Sequence, residues 1–314
     1  MYDLIIIGAG PAGISAAIYA VRKYLNTLVL TKILGGQAAI SGDIENYLGY
    51  SLVTGPELAQ KFRQHLEEFK EGCSLIEGIE VVNLKKDSEK NLFEVVTSNG
   101  KTYFGRAVII ASGKEPRLLG VPGEREFLGR GVSTCATCDA PLFRGKTVAV
   151  VGGGNSAMDA AYTLIKIAQK IYIINTNLEL TGEEILKKQV MEADNVEHIG
   201  NVKTTKILGD GKVTGLEYQD AKNGEVKQIS VDGVFIEIGY SPSVAFDKLT
   251  QKDQWNQVKV SDDLETGIGG LFAAGDVNNL WGEQIVIAAG EGAKAALKVA
   301  EYLARLPKTN PHQE

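Results

Sequence analysis

Leu4-Ile5-Ile6-Ile7-Gly8-Ala9-Gly10-Pro11-Ala12-Gly13 decides the fold of this 314-residue chain. The apolar run carries no polar break, so it reads as a parallel strand buried on both faces. Gly8, Gly10 and Gly13 follow at GxGxxG spacing, and small apolar residues at helical spacing continue to about Tyr24. In that context Gly8 allows the tight turn, Gly10 lets backbone approach a pyrophosphate, and Gly13 lets helix and strand pack closely. The start of the helix offers its N–H groups and its positive end to phosphates. Thr27-Leu28-Val29-Leu30 completes one βαβ unit.

The pattern returns in the middle of the chain. Thr147-Val148-Ala149-Val150-Val151 reads as a strand and Gly152-Gly153-Gly154-Asn155-Ser156-Ala157 as a turn, with a helix from 158 to about 169 and a strand Ile171-Tyr172-Ile173-Ile174. The first glycine of the turn and the residue ending the next strand lie 23 positions apart in both copies, Gly8 to Thr31 and Gly152 to Asn175. Equal spacing points to an internal repeat of one dinucleotide-binding unit.

Working outward, Thr54-Gly55-Pro56-Glu57 reads as a capping box that opens a helix with Leu58, Phe62, Leu66 and Phe69 on one face. Residues 79–84, 92–97 and 102–104 read as short strands with Asn99-Gly100 as a hairpin turn, and Ala107-Val108-Ile109-Ile110-Ala111 as a buried strand. In the second copy, 213–218 and 227–231 read as strands around Asn223-Gly224, and 234–238 as another strand. Leu271-Phe272-Ala273-Ala274 is a last strand, and a long helix runs from about Glu283 to Leu303 with a polar, frayed tail from Pro307. The expected architecture is α/β: two Rossmann-like dinucleotide-binding domains, the second inserted in the first. Residues 1–113 and 243–314 form the outer domain and 114–242 the inner one.

Composition narrows the function classes. Hydrophobic residues are 44% and charged residues 23%, the balance of a globular protein rather than a disordered one. A net charge of −6 argues against a phosphate-backbone binder, so no nucleic-acid partner is expected. No apolar stretch reaches about 18 residues, so no membrane-spanning helix is expected. Met1 leads straight into Tyr2-Asp3-Leu4 without a basic region, the start expected of a cytoplasmic protein without a signal peptide. Three cysteines, Cys73, Cys135 and Cys138, are too few for a disulfide scaffold and suit a reducing compartment.

Cys135-Ala136-Thr137-Cys138-Asp139 is the reactive motif. Two thiols at this spacing can form a disulfide across one turn and exchange it with another dithiol. Asp139 can pass a proton to or from the reacting groups. The competing reading, half a zinc site, lacks two further ligands, since His65, His198 and His312 are scattered; no metal is expected. Cys73 reads as a small buried hydrophobe or an inert surface thiol. Ala274-Gly275-Asp276 sets a carboxylate just past a strand end, where it can accept hydrogen bonds from the hydroxyls of a bound sugar-like chain; alone it reads equally as a helix cap, but with the first glycine turn it favours a flavin site.

The second glycine turn, Gly152, Gly154 and Ala157, has alanine last, which the fingerprint permits. NADP needs a cation at the end of the next strand for its 2′-phosphate, whereas NAD usually meets an acid there. Asn175, Thr176 and Asn177 stand at that place, followed by Glu179, Glu183 and Glu184, with Lys187 and Lys188 the next lysines along the chain and no arginine between Arg144 and Arg305. An acidic, arginine-free rim repels a phosphate monoester, so NADPH is disfavoured; neutral Asn175 does not by itself assert NADH.

Together these motifs, with Gly35-Gly36-Gln37 and Ile44-Glu45-Asn46-Tyr47, resemble the low-molecular-weight thioredoxin reductase family over essentially the whole chain. The resemblance implies FAD in the outer domain, bound by Gly8, Gly10, Pro11, Ala12, Gly13, Thr31, Gly36, Gln37, Asn46, Ala111, Gly113, Gly275, Asp276, Gln284 and Ile285. It implies a nicotinamide nucleotide in the inner domain at Gly152, Gly154, Asn155, Ser156, Ala157 and Asn175. It further implies that Cys138 faces the flavin, that Cys135 attacks a partner disulfide and that Asp139 donates the proton. A homodimer and a hinge near Gly113 and Tyr240 follow from the same resemblance. The partner would be a thioredoxin- or glutaredoxin-like protein, or a peroxiredoxin system.

Two departures stand out. The family's basic cluster for the NADPH 2′-phosphate is absent, and a family arginine before Gln284 is Glu283 here. Lys212-Val213-Thr214-Gly215-Leu216-Glu217-Tyr218 and residues 284–292 are instead similar to the flavoprotein subunit of alkyl hydroperoxide reductase, which favours NADH and carries an additional N-terminal thioredoxin-like region not found in this sequence. The donor expected is therefore NADH over NADPH, with a ferredoxin or other donor in place of both as the alternative. A redox-silent flavin-binding regulator and a flavin ferredoxin–nicotinamide reductase are rival readings; the latter has no need of Cys135 and Cys138.

Overall fold

The computed structural model describes residues 1–41 and 43–306, so the tail expected to fray from Pro307 lies outside the described residues. The chain divides into two compact units, one of residues 1–115 with 242 onward and one of residues 116–241. It is an α/β protein whose second Rossmann-like unit is inserted in the first. The expected cuts at 113/114 and 242/243 fall within two residues of these positions.

In the first unit, Tyr2–Ile7 lies parallel between Thr27–Thr31 and Thr102–Ile110. Cys73–Glu77 pairs parallel on the far side of Thr27–Thr31, and Leu271–Ala273 pairs parallel with Thr102–Ile110. Leu92–Thr97 and Val81–Asp87 extend the sheet antiparallel. Leu4 and Ile6 face one core with the helices Pro11–Val21 and Ile285–Arg305, while Ile5 and Ile7 face another with Phe93, Val244 and Phe246. Two buried faces explain the unbroken apolar run. The segments expected at 102–104 and 107–111 are one strand, because the hairpin partner and Tyr2–Ile7 pair with successive halves of it. Cys73–Glu77 has no counterpart among the expected strands.

The helices meet closely through small residues. A Cβ on Gly292 would lie 1.9 Å from the Ala12 carbonyl oxygen, so Ile285–Arg305 approaches the first turn of Pro11–Val21 more closely than any side chain permits. The helix Gly55–Glu67 starts at the expected capping box: Thr54 Oγ1 accepts from Glu57 N at 3.4 Å, and Thr54 N donates to Glu57 Oε2 at 3.0 Å. Replacing Thr54 by Ala is expected to cost about 1 kcal/mol, seen as a lower midpoint in chemical denaturation.

In the second unit five parallel strands run in the order Val132–Ser133, Gly233–Ile236, Thr147–Val151, Lys170–Ile174, Val196–Ile199. Val148 and Val150 pack against the helix Asn155–Ile165, while Ala149 and Val151 pack against an antiparallel layer of Val202–Asp210, Lys212–Asp220 and Val226–Ile229. The strand Val202–Asp210 and the helix Glu184–Met191 were not anticipated from the sequence.

Candidate functional site

Both glycine turns carry backbone that excludes a side chain. Gly8 has φ +107° and Gly152 φ +143°. A Cβ on Gly8 would sit 2.2 Å from the Ala111 carbonyl oxygen, and one on Gly152 2.1 Å from that of Glu237. Each turn therefore presses against the C-terminal end of the neighbouring strand, where ligands bind in open α/β sheets. The helices Pro11–Val21, Asn155–Ile165 and Ile285–Arg305 begin without a side-chain cap, which leaves first-turn N–H groups for a ligand.

In the first unit a cavity of about 800 Å³ opens over the first turn. That volume lies in the upper part of the range for cofactor sites. Gly8, Gly10, Pro11, Ala12, Thr31, Gly36, Gln37, Asn46, Ala111, Gly113, Gly275, Asp276, Gln284 and Ile285 all line it. Gly13 does not; it packs behind, where a Cβ would lie 1.9 Å from the Gly8 carbonyl oxygen. Gln37 Nε2 donates to the Lys114 carbonyl at 3.1 Å and Asn46 Nδ2 to Gln284 Oε1 at 3.0 Å. Thr31 Oγ1 accepts from Ala9 N at 3.3 Å and donates to Ile33 O at 3.0 Å, so it ties the glycine turn to the strand end.

Two charged residues of this site, Glu291 and Lys114, were not anticipated. Glu291, one helix turn inward from the cavity, accepts from Gly275 N and Asn278 Nδ2, both at 2.7 Å, and so holds the turn that carries Asp276. Lys114, read in the sequence only as a boundary, pairs with Glu283 on the cavity wall. Burial pushes the Asp276 carboxyl up to about 6; Glu283 and Glu291 add to this, and Lys114 opposes it. Lys114 and Glu283 lie 169 residues apart, so no local pattern in the sequence links them.

In the second unit a cavity of about 580 Å³ lies over the second turn, lined by Gly152, Gly154, Asn155, Ser156 and Asn175, with Ala157 buried beneath. Asn175 is 6% exposed; its Nδ2 donates to Glu179 O at 3.1 Å and its Oδ1 meets His198 Nε2 at 2.8 Å. Its side chain is thus engaged by protein rather than turned toward a ligand. Burial lowers the His198 pKa, consistent with a neutral ring in that contact. The Thr204 hydroxyl is buried in the same cavity wall and has no protein partner among the described residues. An orphaned buried hydroxyl is a natural partner for a polar ligand.

The expected acidic rim needs correction. Lys203, exposed on the strand Val202–Asp210, lines the cavity, so a cation does stand there. The sequence pointed instead to Lys187 and Lys188, which the structure pairs with Glu184 at 2.5 Å and Glu192 at 3.8 Å. Lys203 was missed because its strand was missed.

Cys135 and Cys138 form a disulfide with their Cα atoms 5.4 Å apart. The pair opens the short helix Ala136–Asp139, and Cys138 N donates to Cys135 Sγ at 3.2 Å. Ser133 Oγ accepts from Cys135 N at 3.1 Å and donates to Cys135 O at 3.2 Å, so the strand end grips the turn. Among the described residues no group of His, Cys, Asp and Glu could hold a metal ion. Cys73 is buried, and burial pushes its thiol up to about 11. Among the described residues no helix is long and apolar enough to cross a membrane.

The residues of the first cavity fit a flavin dinucleotide. Its floor is backbone that a Cβ would fill, two uncapped helix starts converge on it, and Asp276 stands at a strand end to meet hydroxyls. Comparison with known proteins agrees. The thioredoxin reductase of Bacillus subtilis is 40% identical over 313 residues, covering 98% of this chain and 97% of that one. The NADH dehydrogenase of the same organism is 38% identical over 97% of this chain but 59% of its own length, so the chain spans about three-fifths of that relative. The crystal structure of Lactococcus lactis thioredoxin reductase in its FR conformation superposes with a TM-score of 0.88 at 34% identity, covering 98% of this chain and all of that one. A family model described as pyridine nucleotide-disulphide oxidoreductase matches residues 2–292, and the chain belongs to that family.

Proposed function

We propose that this protein is a flavin-dependent disulfide reductase that takes electrons from a reduced nicotinamide, NADH ahead of NADPH, and delivers them through Cys135 and Cys138 to a thioredoxin- or glutaredoxin-like protein. The carrying observation is the Cys135–Cys138 disulfide, set on a turn in a unit that also holds a dinucleotide-type cavity. FAD, held by the glycine turn, Gln37, Asn46, Asp276 and Gln284, supplies two-electron transfer between nicotinamide and disulfide. The chain's own residues do the rest. In the dithiol form the Cys135 thiolate attacks the partner disulfide, forming one mixed S–S bond and breaking the partner's. Cys138 then attacks Cys135 Sγ, releasing the partner as a dithiol and re-forming the internal disulfide. Asp139 supplies the proton that the departing thiolate needs. Gly113 and Gly239, both at positive φ with open space where a Cβ would stand, are suited to a hinge that lets the pair alternate between flavin and partner. A homodimer and a peroxiredoxin-type partner remain part of this reading through the family resemblance.

The donor preference rests on the missing arginines and on Asn175, with Lys203 as the opposing charge. Anaerobic titration with each nucleotide, following flavin bleaching, tests it. We expect bleaching at lower NADH than NADPH. The reverse order would assign the 2′-phosphate to Lys203, and bleaching by neither would pass the donor role to a ferredoxin-type protein.

A further inference from the structure

The wall of the first cavity is tied across by an ion pair that the electron-transfer reading leaves unused. Lys114 stands just past the strand Thr102–Ile110, and its Nζ donates to Glu283 Oε1. Both residues line the cavity; the Lys114 side chain is 13% exposed and that of Glu283 52%. A lysine buried this far needs a partner, and Glu283 is it. The lysine is also the fixed member of the pair. Gln37 Nε2 donates to its carbonyl at 3.1 Å, and the preceding Gly113 carbonyl accepts from Ser243 N at 2.9 Å. The segment of Glu283 is held differently. Among the described residues, the backbone of residues 281–283 makes no hydrogen bond to protein, and Trp281 is 95% exposed. Beyond it Asn46 Nδ2 holds Gln284 Oε1 at 3.0 Å, and the helix Ile285–Arg305 begins. The Glu283 side chain is therefore what fastens residues 281–283 to the wall.

We propose that Lys114 and Glu283 form a latch on the flavin cavity: the ion pair closes residues 281–283 against the wall at Lys114, and the flavin leaves when the pair opens. This inference rests on the reading that the first cavity holds FAD, and it adds to that reading how the flavin is retained.

The chemistry of the cross-links gives the latch a signature. The bonds from Gln37 to Lys114 and from Asn46 to Gln284 are neutral, so salt leaves them alone. The bond between Lys114 and Glu283 joins opposite charges, and half-exposed Glu283 is open to counterions. Flavin release should therefore quicken with salt, and the dependence should reside in these two side chains. Among the described residues the wall carries one other ion pair, Lys32 with Glu80 at 2.8 Å. Both of its side chains are more than half exposed, so solvent already weakens it, and it serves as the control.

The test uses the full flavin-loaded protein. Release is followed as the rise in flavin fluorescence with excess phosphodiesterase present, which splits FAD once it is free and makes release irreversible. In the wild type, raising sodium chloride from about 0.01 M to about 1 M shortens the screening length from about 30 Å to about 3 Å and should speed release about threefold. Lys114→Gln and Glu283→Gln should each release flavin about fivefold faster at low salt and lose the salt dependence. Glu283→Lys, which sets two cations against each other, should be faster still. The exchanged pair, Lys114→Glu with Glu283→Lys, should return release to within about twofold of the wild type, salt dependence included. Neither a general loosening of the fold nor a direct contact between Lys114 and the flavin would give that rescue. Lys32→Gln should keep the salt dependence. Release unchanged in both Gln variants, an exchanged pair as fast as Glu283→Lys alone, or a salt dependence lost in Lys32→Gln overturns the latch. Should the latch behave as expected while no thioredoxin-like disulfide is reduced, the disulfide-reductase reading fails and the latch stands. A protein that takes up no flavin overturns both.

Discussion

Cys138→Ser should abolish reduction of a protein disulfide while leaving the flavin reducible by its donor. With one sulfur removed, the turn can form neither the internal disulfide nor the dithiol that regenerates it, and no other thiol is available: Cys73 is buried with a raised pKa. Knocking out a covalent nucleophile costs several orders of magnitude, so turnover should fall by a factor on the order of a thousand or more. The paired measurements are flavin bleaching, expected to persist, and oxidation of donor coupled to a thioredoxin-like disulfide, expected to vanish. Turnover retained in Cys138→Ser would remove the pair from the mechanism.

Gly13→Ala should be among the most damaging single methyl groups in the protein. The added carbon would sit 1.9 Å from the Gly8 carbonyl oxygen, a backbone atom that cannot turn aside. Either the helix Pro11–Val21 lifts from the strand or the glycine turn deforms, at a cost of about 3 kcal/mol. The turn is also the floor of the first cavity, so we expect the ratio of visible flavin absorbance to protein to collapse along with the melting temperature. The second unit provides the contrast. Ala157 occupies the corresponding position there, fully buried, beside a Gly152 turn whose Cβ clash is with Glu237. Ala157→Gly should cost only about 1 kcal/mol of helix propensity. Equal flavin content in wild type and Gly13→Ala would contradict the packing role given to this residue.

What the sequence made legible follows from locality. The run Leu4 to Ile7 announced a strand with two buried faces because alternate residues do enter separate cores. Thr54 and Glu57 announced a helix start because a capping box spans one turn. The disulfide was legible as a possibility because its partners are three residues apart. The misses have the opposite character. Cys73–Glu77 and Val196–Ile199 are edge strands with partly exposed residues, so their apolar pattern is weak. Lys203 reaches the nucleotide cavity, and Glu291 the Asp276 turn, only through the tertiary fold, which no spacing rule encodes.

The pairing of Leu271–Ala273 with Thr102–Ile110 sets an order of assembly. The outer sheet waits for a strand that leaves the ribosome after the whole middle segment. That segment is contiguous and closes on itself, with Arg117 N donating to Gly239 O at 2.9 Å, so it can mature while the outer sheet is still missing a member. Once it has done so its ends lie side by side. The loop to be closed then shrinks from about 160 residues to a few tens, which lowers the entropic cost by on the order of 1 kcal/mol. The guest thus helps its host to finish: a late domain boundary works as a tether that delivers the last strand to its place.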